Sequence, residues 1–260
     1  MPEIQILKKP VEELNTIDRT FDLVYMDPPF GLQRDFTMQE EDGQEKSFSD
    51  HWTSFDDYID WYAEVINNAF AKLNKNGWLY AHNNFIVDSI MVLRKGNPYF
   101  EVEYTSLDPV YAANSFKNQD SVGYYALAKV TGEKSRPCAR FEYKGYNPQY
   151  GFRITREKLE ELDAQDRLHY GSNNLYKKIY SHESKGVPVQ NLWDDVYFIS
   201  RSEKNKRKYP TQKPLKLLER VIKSSCPEGG WVLDPFCGSG TTAISAFNTN
   251  RNCITLDVNP

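Results

Sequence analysis

Four consecutive residues, Asp27-Pro28-Pro29-Phe30, combine an acidic side chain and an aromatic ring on a stiff backbone. They follow an apolar segment at 21–26 that has the composition of a buried strand. Each proline fixes its own φ angle and restrains the residue before it, so the segment forms a rigid platform at the end of that strand. A carboxylate beside an aromatic face suits a planar ligand with an amino group, because one accepts a hydrogen bond and the other stacks. A proline-rich turn without a ligand is the alternative.

A second group of residues, WVLDPFCGSGTTA at 231–243, has the order strand, acidic residue, glycine loop, helix. Gly238 and Gly240 let the backbone approach a ligand closely and leave amide groups free at the start of a helix. The pattern also fits a dinucleotide-binding loop, with Asp257 at the next strand end placed to bind ribose hydroxyls. The carboxylate of Asp234 would repel a pyrophosphate, whereas it would attract the ammonium and sulfonium of S-adenosylmethionine. These residues therefore favour S-adenosylmethionine as the ligand.

The hydrophobic pattern predicts the scaffold that must position both groups. Short apolar runs alternate with amphipathic stretches, which is typical of a parallel sheet covered by helices on both faces. The predicted strands are 4–7, 21–26, 78–82, 100–105, 123–130, 231–233 and 253–257, and the predicted helices are 54–75, 85–95, 215–225 and 240–247. Ser54 is the expected N-cap of the longest helix, and Asn76-Gly77 its expected stop. The pattern indicates an α/β, doubly wound, mostly parallel seven-stranded Rossmann-like sheet.

The composition excludes several classes of protein. With 260 residues, 40% hydrophobic and 26% charged, the chain can bury a full core without disulfide or metal support. The four cysteines and four histidines show no zinc-ligand spacing, so no metal site is expected. A mean hydropathy of -0.67, with no apolar run of about 18 residues and no leader pattern, argues against insertion or export. We expect a cytoplasmic protein with reduced cysteines.

The charge is unevenly distributed along the chain. Residues 131–213 contain 17 Lys and Arg against 11 Asp and Glu, although the whole chain carries a net charge of -4. This stretch also holds eight tyrosines and a basic cluster, Arg201, Lys204, Lys206, Arg207 and Lys208. The alternation of strands and helices is absent from 131–209 and resumes afterwards, so we expect an inserted recognition segment. Its composition suits a polyanion such as DNA, although a solvated loop has the same charge pattern.

Three motifs, VYMDPPFG, Tyr209-Pro210-Thr211-Gln212-Lys213-Pro214 and DPFCGSGTT, resemble in this order the amino-group DNA methyltransferases of the beta arrangement. The resemblance covers about 20–100 and 175–260, and it implies the methyltransferase fold with the catalytic motif before the cofactor motif. It divides the domain into a catalytic half at 1–130, a target-recognition insertion at 131–209 and a cofactor-binding half at 210–260. The implied reaction is site-specific methyl transfer from S-adenosylmethionine to the amino group of a flipped base in double-stranded DNA.

The resemblance also implies a role for each matching residue. Asp27 and the carbonyl of Pro28 would accept the two N–H bonds of the amino group, and Phe30, next to Pro29, would stack on the base. The cofactor would lie against the loop formed by Asp234, Pro235, Phe236, Cys237, Gly238, Ser239, Gly240 and Thr241. Asp257 would bind its ribose, whereas Thr211 and Lys213 would bind its methionine carboxylate. The basic cluster would contact DNA.

Several alternatives stay open. Adenine N6 is favoured because family members that act on cytosine N4 commonly carry Ser in place of Asp27, but N4-cytosine methylation, a non-catalytic DNA-binding subunit and an RNA methyltransferase remain alternatives. The resemblance also admits a homodimer and a restriction endonuclease on a separate chain. Pro137-Cys138 matches the nucleophile dipeptide of cytosine C5 chemistry, but no apolar strand leads into it. At Leu7-Lys8-Lys9-Pro10 the sequence departs from the family, where many relatives have a Gly-Asp pair whose Asp contacts the cofactor's adenine.

Overall fold

The computed structural model describes residues 1–33, 35–39, 45–84, 88–132, 139–197, 199 and 211–258. Within these ranges the strands are β1 (Ile4–Lys8), β2 (Phe21–Met26), β3 (Asp35–Gln39), β4 (Glu45–Ser49), β5 (Leu73–Asn84), β6 (Asp88–Lys95), β7 (Tyr104–Thr105), β8 (Asn118–Gln119), β9 (Tyr124–Lys129), β10 (Leu168–Tyr170), β11 (Leu175–Tyr180), β12 (Val187–Pro188), β13 (Trp231–Asp234) and β14 (Asn252–Asp257). The helices are α1 (Phe55–Ala71), α2 (Pro109–Ser115), α3 (Arg156–Ala164), α4 (Leu215–Ser225) and α5 (Thr241–Asn248), with 3₁₀ turns at Val11–Thr16 and Ser181–Glu183. The chain divides into two compact units: the first combines Met1–Glu103 with Gln190–Pro260, and the second is Tyr104–Val189.

The first unit is built on a sheet with the strand order β1-β14-β13-β2-β5-β6. The first five strands in this order run parallel to their neighbours, and β6 is antiparallel to β5. Strands β2, β13 and β14 are buried along most of their length, as expected for parallel strands that are covered on both faces. The predicted α/β architecture with a mostly parallel sheet is confirmed.

Successive residues of the central strands enter two different cores. Leu233 and Ile254 pack with α1 and the first 3₁₀ turn on one face of the sheet. Val232 and Cys253 pack with α4 and α5 on the other face. This alternation follows from the two-residue period of a strand. Helices thus cover both faces, as the doubly wound prediction requires.

The sheet has six strands in the described ranges, not the seven predicted. The segment predicted at 123–130 does form β9, but β9 pairs antiparallel with β11 and β8 in the second unit. The segment at 100–105 is a strand only at β7, which pairs with β12. An apolar run predicts that a segment is a strand, whereas contacts distant in sequence decide which strand it pairs with.

The predicted helix at 85–95 is wrong where the structure describes it. Asp88–Lys95 is strand β6, which pairs with β5 from Asp88 opposite Asn84 to Lys95 opposite Gly77. Residues 85–87 lie outside the described ranges. A short apolar run fits either a helix or a strand, and here the open edge of β5 supplies the hydrogen-bonding groups that favour a strand.

Helix α1 starts as predicted and ends early. Ser54 Oγ accepts a hydrogen bond from the Asp57 N–H over 3.1 Å, which confirms the N-cap. The helix ends at Ala71, so Asn76-Gly77 does not stop it. Gly77 lies inside β5, where a Cβ atom would come within 3.2 Å of the Phe21 carbonyl oxygen. This glycine therefore allows the close approach of β5 to β2.

The second unit has its own four-stranded antiparallel sheet, in the order β10-β11-β9-β8. Its core contains residues of α3 and of the sheet together with loop residues: Val130, Tyr143, Phe152, Leu159, Leu162, Leu168 and Leu175. This compact unit spans Tyr104–Val189, so it begins and ends earlier in the sequence than the predicted insertion at 131–209. None of the helices in the described ranges is long and apolar enough to cross a membrane.

Candidate active site

The two sequence motifs meet at one edge of the first unit's sheet. Strands β2 and β13 are parallel neighbours, with Leu23 opposite Val232 and Val24 opposite Leu233. Because both strands run in the same direction, the loops that follow them leave the sheet side by side. A cavity of about 350 Å³ opens there. Its walls include both loops, the residues that follow β1, the end of β14, part of α1 and the segment before α4.

Asp27 lies in this cavity with its two oxygens in different situations. Oδ2 accepts a hydrogen bond from Lys213 Nζ over 2.9 Å, and the two side chains are only 16% and 14% exposed. Oδ1 is buried and has no hydrogen-bond partner among the residues that the structure describes. A buried acceptor without a donor costs about 1–3 kcal/mol, so this position suits a ligand that brings an N–H or O–H group.

Phe30 lies beside the same ion pair. Lys213 Nζ is 5.3 Å from the centroid of the Phe30 ring, a distance at which an ammonium is attracted to an aromatic face. Asp27, Lys213 and Phe30 all line the cavity. The carboxylate and the ring that the sequence predicted as neighbours therefore do face one ligand space.

The backbone of this loop is held by Asp50, which is 1% exposed. The Asp50 carboxylate accepts hydrogen bonds from the N–H groups of Gly31 and Leu32 over 3.0 and 2.8 Å. It also accepts one from the Trp52 indole N–H over 3.0 Å. Sequence analysis missed Asp50, because it is one of nine acidic residues between 33 and 60 and no local pattern distinguishes it.

Tyr58 on α1 supports the loop from another side. Its hydroxyl donates a hydrogen bond to the Pro29 carbonyl oxygen over 3.0 Å. Gly31 has a φ of +68°, and a Cβ atom there would lie 3.2 Å from the Tyr58 ring. Tyr62 stacks on Tyr58, and burial, with Tyr58 and Asp27 nearby, raises the pKa of Tyr62 to about 12. Both phenols therefore remain neutral hydrogen-bonding groups near neutral pH.

The loop between β13 and α5 is fastened to the end of β14. Gly238 N–H donates a hydrogen bond to Asp257 Oδ2 over 2.7 Å, and Cys237 N–H donates one to the Leu256 carbonyl over 2.8 Å. Gly238 and Gly240 have φ angles of 52° and 76°, which favour glycine. Gly240 is the N-cap of α5. The positive φ angles suit glycine at both positions, but the N–H groups of Gly238 and Gly240 are not free as predicted, because they donate to Asp257 and to the Cys237 carbonyl.

Asp234 is buried, and both its oxygens accept hydrogen bonds from its own loop. The donors are Phe236 N–H at 2.9 Å and the Thr242 hydroxyl at 2.5 Å. Burial raises the pKa of Asp234 to about 7, with Asp27 and Asp257 adding to the effect while the two hydrogen bonds oppose it. The sequence predicted Asp234 as a partner of a cationic ligand. The structure shows that both oxygens fix the loop, and the role toward a ligand stays a prediction.

Three aromatic side chains, Trp52, Trp61 and Phe236, form another wall of the cavity. The rings of Trp61 and Phe236 meet edge to face with centroids 6.1 Å apart, and the Trp52 and Trp61 centroids are 4.7 Å apart. Trp61 Nε1 donates a hydrogen bond to Glu12 Oε1 over 3.1 Å. Sequence analysis did not select Trp52, Trp61 or Glu12, because aromatic and acidic residues at such positions look like ordinary core and surface residues.

The segment that departs from the family pattern also reaches the cavity. Lys9 Nζ contacts Thr16 Oγ1 at 2.9 Å and the Glu13 carboxylate at 3.4 Å. Pro10 has no N–H group to offer a ligand. Glu12 lines the cavity, so this end of the site still has a carboxylate, although not at the position of the family's Asp.

Most of the predicted site residues line the cavity: Asp27, Pro28, Pro29, Phe30, Thr211, Lys213, Asp234, Pro235, Phe236, Cys237, Gly238, Ser239, Thr241 and Asp257. Burial raises the pKa of the Cys237 thiol to about 11, so this cysteine is a neutral wall residue. The basic cluster at 201–208, the residues Tyr209 and Pro210, and the dipeptide Pro137-Cys138 lie outside the described ranges.

Residues 21–260 match the family model N6_N4_Mtase, described as DNA methylase, and the chain belongs to this DNA methylase family. It is similar to the type II methyltransferase M.EcaI of Enterobacter cloacae, with 29% identity over 67% of this chain and 40% of that protein. It is also similar to the DNA adenine methyltransferase YhdJ of Escherichia coli strain K12, with 28% identity over 92% of this chain and 72% of that protein.

Among solved structures, the chain is similar to the PvuII DNA methyltransferase, named cytosine-N4-specific. That comparison has 18% identity and a TM-score of 0.43, and it covers 99% of this chain and 82% of the other. The chain spans 40, 66 and 51% of the length of three curated type II methyltransferases that it matches.

Proposed function

We propose that the chain transfers a methyl group from S-adenosylmethionine to the exocyclic N6 amino group of an adenine in double-stranded DNA. The observation that carries this proposal is the buried Oδ1 of Asp27, which lacks a donor among the described residues. Asp27 lines the same cavity as the glycine loop after β13. An exocyclic amino group supplies the donor that this oxygen needs. Membership of the DNA methylase family supports methyl transfer as the reaction.

The charges of the cavity fit S-adenosylmethionine. Asp234 is partly neutral near pH 7, but the other described wall residues still carry more carboxyl than ammonium groups: Glu12, Asp27 and Asp257 against Lys9 and Lys213. An excess of carboxylates favours a ligand with a sulfonium and an ammonium, and it opposes a pyrophosphate. Asp257 ends β14, where an acidic residue binds ribose hydroxyls in sheets of this type. Trp61 and Phe236 provide apolar faces for a purine ring.

The residues of the chain prepare the amino group for reaction. Bound S-adenosylmethionine supplies an electrophilic methyl group on its sulfonium. The amino nitrogen of adenine is a poor nucleophile because its lone pair is delocalised into the ring. A hydrogen bond to Asp27 Oδ1 favours a pyramidal nitrogen whose lone pair is available. The nitrogen then bonds to the methyl carbon as the carbon–sulfur bond breaks, and the amino group releases one proton to solvent.

Phe30 has the second role in this mechanism. A base inside a duplex cannot reach the cavity, so it must be flipped out of the stack. The Phe30 ring, which lines the cavity, replaces part of the stacking that the base loses. Thr211, together with the loop Asp234 to Thr241, is assigned to the cofactor in this proposal.

Two observations favour adenine over cytosine as the target base: the identity of residue 27 and the name of one related protein. Asp27 occupies the position at which family members specific for cytosine N4 commonly carry Ser. The relative named DNA adenine methyltransferase is 28% identical to this chain over 240 residues. Both bases present an amino group beside a ring nitrogen, so the same mechanism applies to N4 of cytosine.

The proposal assigns DNA recognition to the insertion predicted at 131–209 and to its basic cluster. The excess of Lys and Arg over 131–213 supports binding to the phosphate backbone, which precedes any reading of base edges. Several relatives are named type II methyltransferases. These names support a site-specific enzyme. Action in the cytoplasm, a restriction endonuclease on a separate chain and a homodimer are further parts of the proposal.

Methylation of genomic DNA tests this function directly. Unmethylated DNA is incubated with S-adenosylmethionine and the wild type, Asp27→Ala or the exposed control Asp18→Ala, and its nucleosides are analysed by mass spectrometry. We expect N6-methyladenine with the wild type and the control, and none with Asp27→Ala. N4-methylcytosine would keep the mechanism and change the base. No methylated nucleoside, with cofactor binding shown by calorimetry, would contradict DNA as the substrate.

A further inference from the structure

Lys213 contacts a different group from the one that the family resemblance implies. The resemblance assigns its ammonium to the methionine carboxylate of the cofactor. In the structure, Lys213 Nζ lies 2.9 Å from Asp27 Oδ2 and 5.3 Å from the centroid of Phe30. The ammonium therefore contacts both groups that the proposed function assigns to the target base.

The backbone on both sides of this contact is rigid. Lys213 precedes Pro214, which restricts its backbone, and Pro214 is the N-cap of α4 with φ -63° and ψ 138°. Helix α4 is anchored by Leu217 and Leu218, which are 7% and 1% exposed. Asp27 precedes two prolines of its own. The ion pair thus joins two fixed points of the first unit.

The surrounding charges give the ammonium a further effect on Asp27. Two other carboxyl groups, those of Asp234 and Asp257, line the same cavity. Asp27 and Asp257 are close enough to Asp234 to contribute to the rise in its pKa. In the absence of the ammonium, these groups repel an ionised Asp27 and favour rotation of its side chain away from them.

We propose that Lys213 is a positioning residue for Asp27. Its ammonium occupies Oδ2, which leaves Oδ1 as the oxygen that accepts the hydrogen bond of the target amino group. The same ammonium, 5.3 Å from the centroid of Phe30, holds that ring close to the Asp27 carboxylate. This inference rests on the proposed function and differs from the family resemblance: Lys213 acts on the base-binding side of the cavity, and the protein keeps its affinity for the cofactor without the Lys213 ammonium.

A pair of substitutions separates this role from a cofactor contact. Lys213→Met keeps the length and apolar stem of the side chain, and Lys213→Arg keeps the charge. Cofactor affinity is measured by calorimetry, and the rate of methyl transfer to genomic DNA is measured at saturating S-adenosylmethionine. Lys223→Met, on the exposed side of α4, is the matched control.

We expect Lys213→Met to lower the saturated rate about 100-fold, because a small displacement of a reacting group has an effect of this size. Its cofactor dissociation constant should stay within about threefold of the wild type, and Lys213→Arg should recover at least part of the rate. An unchanged saturated rate together with a weaker cofactor affinity would overturn the inference and restore Lys213 to the methionine carboxylate.

A readout that does not need turnover distinguishes failure of this inference from failure of the proposed function. The midpoint of thermal unfolding is compared among the wild type, Asp27→Ala, Lys213→Met and the double variant. If the ion pair exists in solution, the loss in the double variant differs from the sum of the single losses. Additive losses would overturn the inference even for an inactive preparation, whereas a coupled pair in a wild type that methylates nothing would contradict only the proposed function.

Discussion

The Asp50 carboxylate accepts a hydrogen bond from the backbone N–H of Leu32 over 2.8 Å, across 18 positions of the sequence. The adjacent Gly31 N–H donates to the other oxygen of the same carboxylate over 3.0 Å. Both amides lie immediately after Asp27-Pro28-Pro29-Phe30. A buried side chain outside the motif therefore fixes the point at which the candidate catalytic loop leaves the cavity.

Asp50→Asn tests this support. An amide at this position directs an NH₂ group at a backbone N–H, so one donor loses its acceptor, which costs about 1–3 kcal/mol of unfolding free energy. We expect the rate of methyl transfer to fall about tenfold or more with little change in cofactor affinity, because Asp50 acts on the Asp27 loop. Urea unfolding, calorimetry and initial rates measure the three effects. Equal behaviour of Asp50→Asn and the exposed control Asp56→Asn would argue against this role.

The buried carboxyl group of Asp234 makes stability depend on pH. Its pKa is raised to about 7 in the folded protein from an ordinary value of 3.8. Between these values the folded state binds a proton that the unfolded state does not, so stability falls as pH rises, by at most about 1.4 kcal/mol per unit. Asp234→Asn removes this contribution to the pH dependence of stability. Between pH 4 and 7 the midpoint of thermal unfolding of the variant should rise relative to that of the wild type. Between pH 7 and 8 the difference between the two midpoints should stay constant.

Trp61 offers a direct signal of ligand binding. It lines the cavity and contacts Phe236 edge to face, so a bound cofactor changes the surroundings of its indole ring. We expect S-adenosylmethionine to change the tryptophan fluorescence of the wild type and to change it much less in Trp61→Phe. Trp193, which packs near α4 outside this cavity, provides the control Trp193→Phe. Trp52 lines the same cavity, so a full signal in the double variant Trp52→Phe/Trp61→Phe would place the ligand elsewhere.

Arg220 and Asp195 connect helix α4 to the segment that returns from the second unit. Two hydrogen bonds of 2.8 and 2.7 Å join them, and the pKa of Asp195 lies well below its usual value because Arg220 and Lys216 donate to it. We expect Arg220→Met to lower the unfolding free energy by about 2 kcal/mol, less than for a fully buried pair because Asp195 is 32% exposed.

The lowered pKa of Asp195 predicts how the stabilisation by this ion pair changes at low pH. A carboxyl group with a lowered pKa stabilises the fold above its ordinary pKa, near 4, and loses that contribution as pH falls further. The difference between wild type and Arg220→Met in urea unfolding should therefore be full at pH 7 and shrink below pH 4. A constant difference over this range would show that Arg220 acts through packing alone.

The parts of the site that sequence analysis predicted are those whose conformation is encoded locally. Pro28 and Pro29 stiffen one loop, and Gly238 and Gly240 supply the positive φ angles of the other. Strands β2 and β13 were predicted because both their faces are apolar. The nearness of the two loops could also be expected, since parallel strands in such sheets place their carboxyl ends at one edge.

The parts that it missed depend on contacts between distant residues. Asp50, Glu12 and Trp61 act through partners 18 or more positions away, and their residue types are common on any surface or core. The motif that contains Lys213 likewise gives no indication of the contact between Lys213 and Asp27. Strand β6 was predicted as a helix because its apolar residues fit both periods and only its pairing with β5 decides between them.

The position of β13 between β14 and β2 has a consequence for how the molecule forms. The Trp231 N–H donates a hydrogen bond to Asp22 Oδ2 over 2.9 Å, although the two residues are 209 positions apart. During synthesis on the ribosome, the edge of β2 that pairs with β13 stays unpaired until β13 emerges. Pairings of such sequence separation fold slowly and leave an incomplete sheet exposed to aggregation. Chaperone demand in the cell should therefore fall mainly on the interval between synthesis of the candidate catalytic loop and synthesis of the glycine loop.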